Sequence, residues 1–390
     1  MARLGDYIKQ IRGVSYKPED LHPYLDENSI TLLRANNIQE GKLVLDDVVF
    51  VDKARVREEQ VLRKGDILVC TSSGSKDLVG KAALVTEDTQ ITFGAFCKVV
   101  RPISGNPNYI GLFFDSPIYR KKISHASAGA NINNIRSEHI DELEISMPEE
   151  REQTDAVSIL SMINCLISLR KKQMQKLDDL VKSRFVEMFG LPGTDVKGWG
   201  LLPLGECCEL NPNKSSDDRL DSNLEVSFVP MPAVSEKGTI DTSEIKRYSE
   251  VKTGFTYFAE KDVLFAKITP CMENGKGAVA VGLHNGIGFG STEFHILRPL
   301  DKKSNPYWIY CLTSFESFRK DATANMTGSA GQRRVPASFL SRFKVALPPI
   351  EMQEQFAAFI AQVNKSKLTV QQGLDKLELL KQSLMQKYFG

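Results

Sequence analysis

The sequence predicts an α+β protein: two similar α/β domains separated by two long antiparallel helices, with a pseudo-two-fold internal repeat. Three observations carry that expectation. KLDDLVKSRFVEMFG at 176–190 returns as KLELLKQSLMQKYFG at 376–390, with six identities at an offset of 200 residues. Shorter pieces recur near that offset: Leu4-Gly5-Asp6 as Leu204-Gly205-Glu206, Met147-Pro148 as Leu347-Pro348, Glu152-Gln153 as Glu354-Gln355, and Ser127-Ala128-Gly129 as Ser329-Ala330-Gly331. Each copy also ends on an apolar stripe at helical spacing. A period near 200 far exceeds the 20–50 residues of a solenoid, so the repeated unit is a domain followed by a helix.

Residues 1–147 read as the first domain and 191–347 as the second. In the first, Ile67-Leu68-Val69-Cys70, Ala83-Leu84-Val85 and Phe96-Cys97-Lys98-Val99-Val100 are strand-like runs separated by turn formers. The second repeats the order. Asp262-Val263-Leu264-Phe265 stands for Asp66-Ile67-Leu68-Val69, Gly275-Lys276-Gly277-Ala278 for Gly80-Lys81-Ala82-Ala83, and Arg298-Pro299 for Arg101-Pro102. Regular βαβ alternation is missing, so each domain is expected to hold a mainly antiparallel or mixed sheet.

Residues 148–190 and 348–390 read as the long helices. Proline precedes each (Pro148; Pro348-Pro349), and Glu149, Glu150 and Glu152, or Glu351 and Glu354, place acidic charge against the positive end of the helix dipole. The first stripe contains Leu160, Ile163, Ile167, Met174, Leu177 and Val181, and the second Ile360, Val363, Val370, Leu374, Leu377 and Leu384. Sustained over about five heptads, such a stripe predicts a seam between helices. At 1.5 Å per residue, roughly 36 residues give about 54 Å. Gly373 costs about 1 kcal/mol inside a helix and predicts a bend or close approach there.

Composition excludes several classes. The 390 residues are 42% hydrophobic and 25% charged, ordinary for a globular protein, with formal net charge +1 and hence no global field toward nucleic acid. No apolar run approaches the roughly 18 residues needed to span a bilayer, and MARLGDYIKQIRG lacks a signal-peptide core. The seven cysteines form no CxxC pair and read as reduced thiols in a cytosolic protein. His22, His125, His139, His284 and His295 make no metal-ligand spacing with them. Asn106-Pro107-Asn108-Tyr109 lacks the second proline of an adenine-methyltransferase element and reads as an Asn-Pro turn. The segment Gly74 to Ala82 has five residues between its glycines and Ala82 in place of the magnesium-binding Ser or Thr, so it is not a P-loop.

Taken in order along the chain, these features resemble the specificity subunit of type I restriction–modification systems, over essentially the whole length. The marks are the two-copy layout, the Leu-Pro or Met-Pro step into a Glu-Gln-bearing long helix, and the Phe-Gly closing each helix. LPPIEMQEQFAAFIAQV (347–363), preceded by GSAGQRRVPASFL (328–340), fits the end of that family's second recognition domain. The central copy departs from it, with one proline in MPEEREQTDAVSILSMI and SAGANINNIRSEHI in place of the Gln-Arg-Arg-Val-Pro wording.

The resemblance implies a non-catalytic, cytoplasmic DNA reader without a cofactor of its own. Each domain would be a target recognition domain for one half of a bipartite site in double-stranded DNA. The helices would hold the domains apart and dock two methyltransferase subunits, which methylate adenine N6 with S-adenosylmethionine. Motor-nuclease subunits using ATP and Mg2+ would complete the complex. Three rivals stay open on sequence alone: a specificity chain serving a fused nuclease–methyltransferase, a DNA-independent adaptor, and a catalytic methyltransferase.

DNA contact then falls to polar and cationic loops. The first follows the Asp-Ile-Leu-Val strand, with Ser72, Ser73, Ser75 and Lys76, matched by Lys267, Thr269, Asn274 and Lys276. The second is the Ser-Ala-Gly loop, with Asn131, Asn133, Asn134 and Arg136 against Ser329, Gln332, Arg333 and Arg334. The third holds Arg34, Asn36 and Asn37 against the less polar Pro230-Met231-Pro232-Ala233. On the usual pairings, Arg333 and Arg334 point to guanine in one half-site and the asparagines to adenine in the other.

Overall fold

The computed structural model describes residues 1–74, 78–126, 133–214, 217–329 and 331–390, the side chains of His125, Ala126 and Asn133 excepted. The chain folds into two compact units, Met1–Lys171 together with Gln372–Gly390, and Lys172–Gln371.

In the first unit, the run Ile67–Cys70 is buried throughout, as a central strand should be. It lies between Ala82–Leu84 and Cys97–Pro102, and Ile8–Arg12 completes a wholly antiparallel four-stranded sheet. A second four-stranded sheet is mixed: Ile91–Phe93 runs parallel to Ser29–Leu33, and Val49–Asp52 and Leu21–His22 follow antiparallel. Where the sequence suggests one sheet per domain, the structure thus has two four-stranded sheets, with two-stranded pairs beside them. Asp66 and Arg101, from repeated segments 35 residues apart, meet as a bidentate ion pair with both N···O distances at 2.7 Å. Asn106-Pro107 is a helix start: Asn106 Oδ1 accepts from the Asn108 amide at 3.0 Å, capping Pro107–Asp115.

The second unit repeats this plan. Cys208–Leu210, Phe294–Pro299, Val263–Ala266 and Gly277–Val279 form an antiparallel sheet in that order. Glu225–Val229 runs parallel to Ile287–Gly290 in the mixed sheet, flanked by Ile245–Arg247 and Thr256–Ala259. Asn305 caps Pro306–Ser314 as Asn106 caps its counterpart.

The long helices are Glu150–Phe189 and Ile350–Phe389, 40 residues each. Each unit contains a part of both. In the first unit, Leu160, Ile163 and Leu374 are buried and Ile167, Leu377 and Leu384 half-buried. Lys171 reaches Glu378 at 4.0 Å while Leu160 shares a core with Met385 and Phe389, so these parts run antiparallel. In the second unit, Ile360, Val363 and Val370 are buried and Met174, Leu177 and Val181 half-buried. Asp178 pairs with Lys367 there, and Phe185 and Phe189 pack on Phe356. A Cβ on Gly373 would meet only Arg170 Nε at 3.9 Å, an ordinary contact distance, so the expected close approach is not present, and the helix continues through this residue.

The Phe-Gly endings also find their reason. Phe389 lies 4.9 Å from the Tyr109 ring and 5.8 Å from Phe113, and Phe189 seals the equivalent core beside Trp199. The helix N-termini are anchored by glutamine. Gln153 accepts from the Asn106 amide at 3.0 Å and donates to the Pro148 carbonyl at 2.8 Å. Gln353 does the same for Asn305 and Pro348, both at 2.8 Å. The counterpart of Gln153 is therefore Gln353, at an offset of 200, and not the exposed Gln355 that the Glu-Gln pairing suggests. No helix among the described residues is long and apolar enough to cross a membrane.

Candidate nucleic-acid interface

In the first unit, the chain leaving Ile67–Cys70 enters Ser72-Ser73, which pair antiparallel with Asn134 and Asn133. The Thr71 carbonyl accepts from the Ile135 amide at 2.8 Å, and Ile135 is 1% exposed, which pins the loop into the core. The amides of Thr71 and Ser72 both donate to the Phe96 carbonyl, at 2.9 and 3.1 Å. The first two sequence-assigned loops are therefore one surface, with Phe96 at its edge. Ser75, Lys76 and Asn131 lie outside the described residues, and of Asn133 only the backbone is described.

The second unit builds the same lacing with other side chains. The Lys267 carbonyl accepts from the Val335 amide at 2.9 Å, and Val335 is again 1% exposed. The Thr269 amide donates to the Arg333 carbonyl at 3.0 Å, and Ile268 bridges Arg334. The Lys267 amide donates to the Glu293 carbonyl at 2.9 Å, so Glu293 holds the place that Phe96 holds in the first unit. A strand from each antiparallel sheet thus presents a pair of loops on a rigid base.

Side chains on these loops divide by what holds them. Asn134 and Arg136 are exposed, as are Asn274, Ser329 and Gln332. Ser72, Ser73, Lys267, Thr269 and Lys276 are half-buried, and Lys276 Nζ reaches the Met231 carbonyl at 3.4 Å. Arg333 donates from Nη2 to the Thr323 carbonyl at 2.7 Å, the C-terminal end of the helix Glu316–Ala324, so this nitrogen serves the chain's own backbone. Arg334 instead lies against Glu293, with Nε to Oε2 at 2.9 Å and Nη2 to Oε1 at 2.8 Å.

At the third place, both units make a 3-10 turn, Ala35–Asn37 and Met231–Ala233. Asn36 is exposed, with Nδ2 on Asp47 Oδ2 at 2.9 Å. Arg34 donates to the same carboxylate at 2.9 Å. Asn37 is fully buried, donating to the carbonyls of Val44 and Asp46 at 2.9 and 2.7 Å, and so organises the turn rather than facing outward.

The second unit concentrates charge at its loops. Hydrogen bonding from Arg334 holds the Glu293 carboxyl below its ordinary range, while burial lowers the Lys267 ammonium. His295 is 6% exposed, and its Nε2 lies 2.8 Å from the Val335 carbonyl; because a carbonyl only accepts, Nε2 carries the proton. Burial lowers this imidazole, which disfavours its protonation. Lys98 occupies the same strand position in the first unit and donates to Ser137 Oγ at 2.9 Å. Among the described residues, no group of three His, Cys, Asp or Glu side chains is placed to hold a metal ion.

Phe96 and Glu293 were not singled out by sequence. The signal was present: each directly precedes a repeated strand, Cys97–Pro102 or Phe294–Pro299, and the two residues differ sharply in chemistry.

Comparison with known proteins matches this two-copy plan. The model of the type I restriction modification DNA specificity domain matches twice, over residues 22–179 and 196–379. The chain is 30% identical to the StySPI specificity subunit of Salmonella potsdam, covering 97% of this chain and 86% of that protein. It is 29% identical to the EcoKI specificity subunit of Escherichia coli K12, with the same coverage of 97% and 86%. The EcoAI specificity subunit of Escherichia coli reaches 42% identity over 161 residues, 40% of this chain and 26% of that protein. Among solved structures, a chain studied for complex assembly and conformational transition of the type I R-M system aligns with a TM-score of 0.57 at 17% identity, covering 99% of this chain and 96% of that one. The S subunit from M. genitalium aligns at 0.51 and 13% identity, covering 100% and 95%. At these identities the structural likeness concerns the fold. The paired family matches, spanning most of the chain, establish that it belongs to the type I restriction–modification specificity subunits, with two target recognition domains.

Proposed function

We propose that this specificity subunit reads a bipartite double-stranded DNA target, one half with residues 1–147 and the other with residues 191–347, and contributes no catalytic group. The observation that carries this reading is that both domains lace the same two loops together by the same backbone bonds while their exposed side chains differ. A constant scaffold with variable polar groups is what reading two different half-sites requires. The reading side chains are drawn from Ser72, Ser73, Asn134 and Arg136 in the first domain, and Lys267, Thr269, Asn274, Lys276, Gln332 and Arg334 in the second. Asn37 and Arg333 act by shaping their loops.

The helices of residues 148–190 and 348–390 dock two adenine-N6 methyltransferase subunits, and motor-nuclease subunits join that assembly. S-adenosylmethionine, ATP and Mg2+ belong to those partners, and the complex works in the cytoplasm. Support for docking comes from Ile159, Met162, Leu166 and Leu169, an apolar row at helical spacing on the central helix, 41–66% exposed. Such a row suits a protein partner.

The test is co-expression with the neighbouring methyltransferase gene, followed by genome-wide mapping of N6-methyladenine. One bipartite motif with a fixed unspecified gap, lost when this chain is deleted, is expected. A stable complex that leaves no motif would instead favour the adaptor role.

A further inference from the structure

We propose that Glu293 is a specificity-determining residue of the second recognition domain, a positioning carboxylate that presents Arg334 to a guanine in the major groove. The inference rests on the DNA-reading function above and names the chemistry of one of its contacts.

The geometry carries it. Guanidinium has five N–H donors in a plane, one on Nε and two on each Nη. Glu293 engages the Nε/Nη2 edge, at 2.9 Å for Nε to Oε2 and 2.8 Å for Nη2 to Oε1. Nη1 gives one proton to the Gln332 carbonyl at 3.1 Å. One N–H on Nη1 and one on Nη2 remain without a partner among the described residues. Guanine offers two neighbouring acceptors, O6 and N7, which a paired Arg donor set satisfies together.

Both residues are fixed from below. The Arg334 backbone is bonded in both directions to Thr327, at 2.8 and 2.9 Å, and the Glu293 carbonyl holds the Lys267 amide at 2.9 Å. The side chains remain reachable, at 42% exposure for Arg334 and 25% for Glu293. An ion pair this open adds little to stability, whereas fixing a long side chain before binding removes an entropic cost of recognition. Arg333, one residue earlier, has its Nη2 on the carbonyls of Thr323, at a helix end, and of Met326, and lacks this carboxylate.

The first domain supplies the contrast. Phe96 sits at the same backbone position, accepting the Thr71 amide at 2.9 Å, but its side chain is 70% exposed and apolar. The scaffold bond is kept while the side chain changes from carboxylate to phenyl, and the neighbouring loop changes from Arg334 to Asn134. A residue placed only to support the fold has no reason to vary with the reading loop.

The experiment uses the co-expressed methyltransferase complex carrying this chain, with N6-methyladenine mapping at cognate sites and at sites differing by one base pair. Glu293→Gln is close in shape but loses the charge, and Arg334→Lys keeps the charge but loses the fork. Both are expected to lower discrimination for guanine at the same single position of one half-site by roughly tenfold or more, with the other positions unchanged. Glu293→Asp is expected to restore part of it, and the double variant to add little to either single one. Unchanged discrimination in Glu293→Gln, or equal weakening at every position, would overturn the proposal while leaving the DNA-reading function intact. Absence of any bipartite motif with the unsubstituted chain would overturn that function, and this inference with it.

Discussion

Asp262 receives both Nε and Nη2 of Arg298, at 2.8 and 2.7 Å, and is itself 1% exposed. The same pairing joins Asp66 to Arg101 in the first unit, so two sequence segments that repeat separately, Asp-Val-Leu-Phe and Arg-Pro, are repeated because they meet. Asp262 also accepts from the Ala259 amide at 2.8 Å, tying the turn before Val263–Ala266 to the neighbouring strand.

Removing one partner of this buried pair strands the other. Asp262→Ala is expected to destabilise the second unit by about 3–5 kcal/mol. Replacing both residues by apolar side chains of similar volume is expected to cost much less, for the same reason. Thermal or urea unfolding of the assembled complex distinguishes the two.

His295 predicts a pH dependence whose direction follows from burial. Its folded pKa lies below the ordinary value near 6.5. Well above the ordinary value both folded and unfolded chains carry it neutral, and its contribution is complete. As pH falls below that value, the unfolded chain takes up a proton that the folded chain resists, so stability declines until the folded pKa is reached. Lys267 and Glu293 face the ring with opposing effects. His295→Gln is expected to flatten the part of the stability profile that declines as pH falls through the ordinary imidazole range, leaving the slope from other groups.

Phe96 is exposed, so its removal should not disturb the core. Phe96→Ala is expected to leave the unfolding midpoint of the complex within about 0.5 kcal/mol of the original. Recognition of the first half-site should weaken, with the second half-site unchanged. Methylation mapping reads both halves in one measurement, and an effect on the second half would contradict this assignment.

Length of the long helices is expected to set the unspecified gap. Each helix is one 40-residue element. One heptad inserted at matching levels, after Lys171 and before Gln372, adds about 10 Å at 1.5 Å per residue. That is close to three base pairs at about 3.4 Å each. The motif is expected to gain a gap of about that size, with both half-site sequences unchanged. An altered half-site with the original gap would contradict this role of the helices.

Much of the fold was legible because its signals are local. The stripes of Leu160, Ile163 and Ile167, and of Ile360, Val363 and Val370, follow from helical period, and Pro148 and Pro348 mark where the helices begin. The strand Ile67–Cys70 follows from an uninterrupted apolar run. Arg333 and Arg334 show why the site was less legible. They are neighbours of one residue type in one loop, yet one is bound to the carbonyl of Thr323 and the other to the carboxylate of Glu293, 41 residues away.

By itself, the sequence determined the duplication, the helix pair, a few strands shared by the two copies and the likeness to type I specificity subunits, since each is written in spacing and repetition along the chain. Tertiary structure decided that each domain holds two four-stranded sheets, that Ser72-Ser73 lies beside Asn133-Asn134, that Asn37 turns inward, and that Gln353 rather than Gln355 anchors its helix. Those outcomes depend on the register between strands far apart in sequence and on which polar groups must be satisfied once buried. Neither quantity has a period that the chain alone displays.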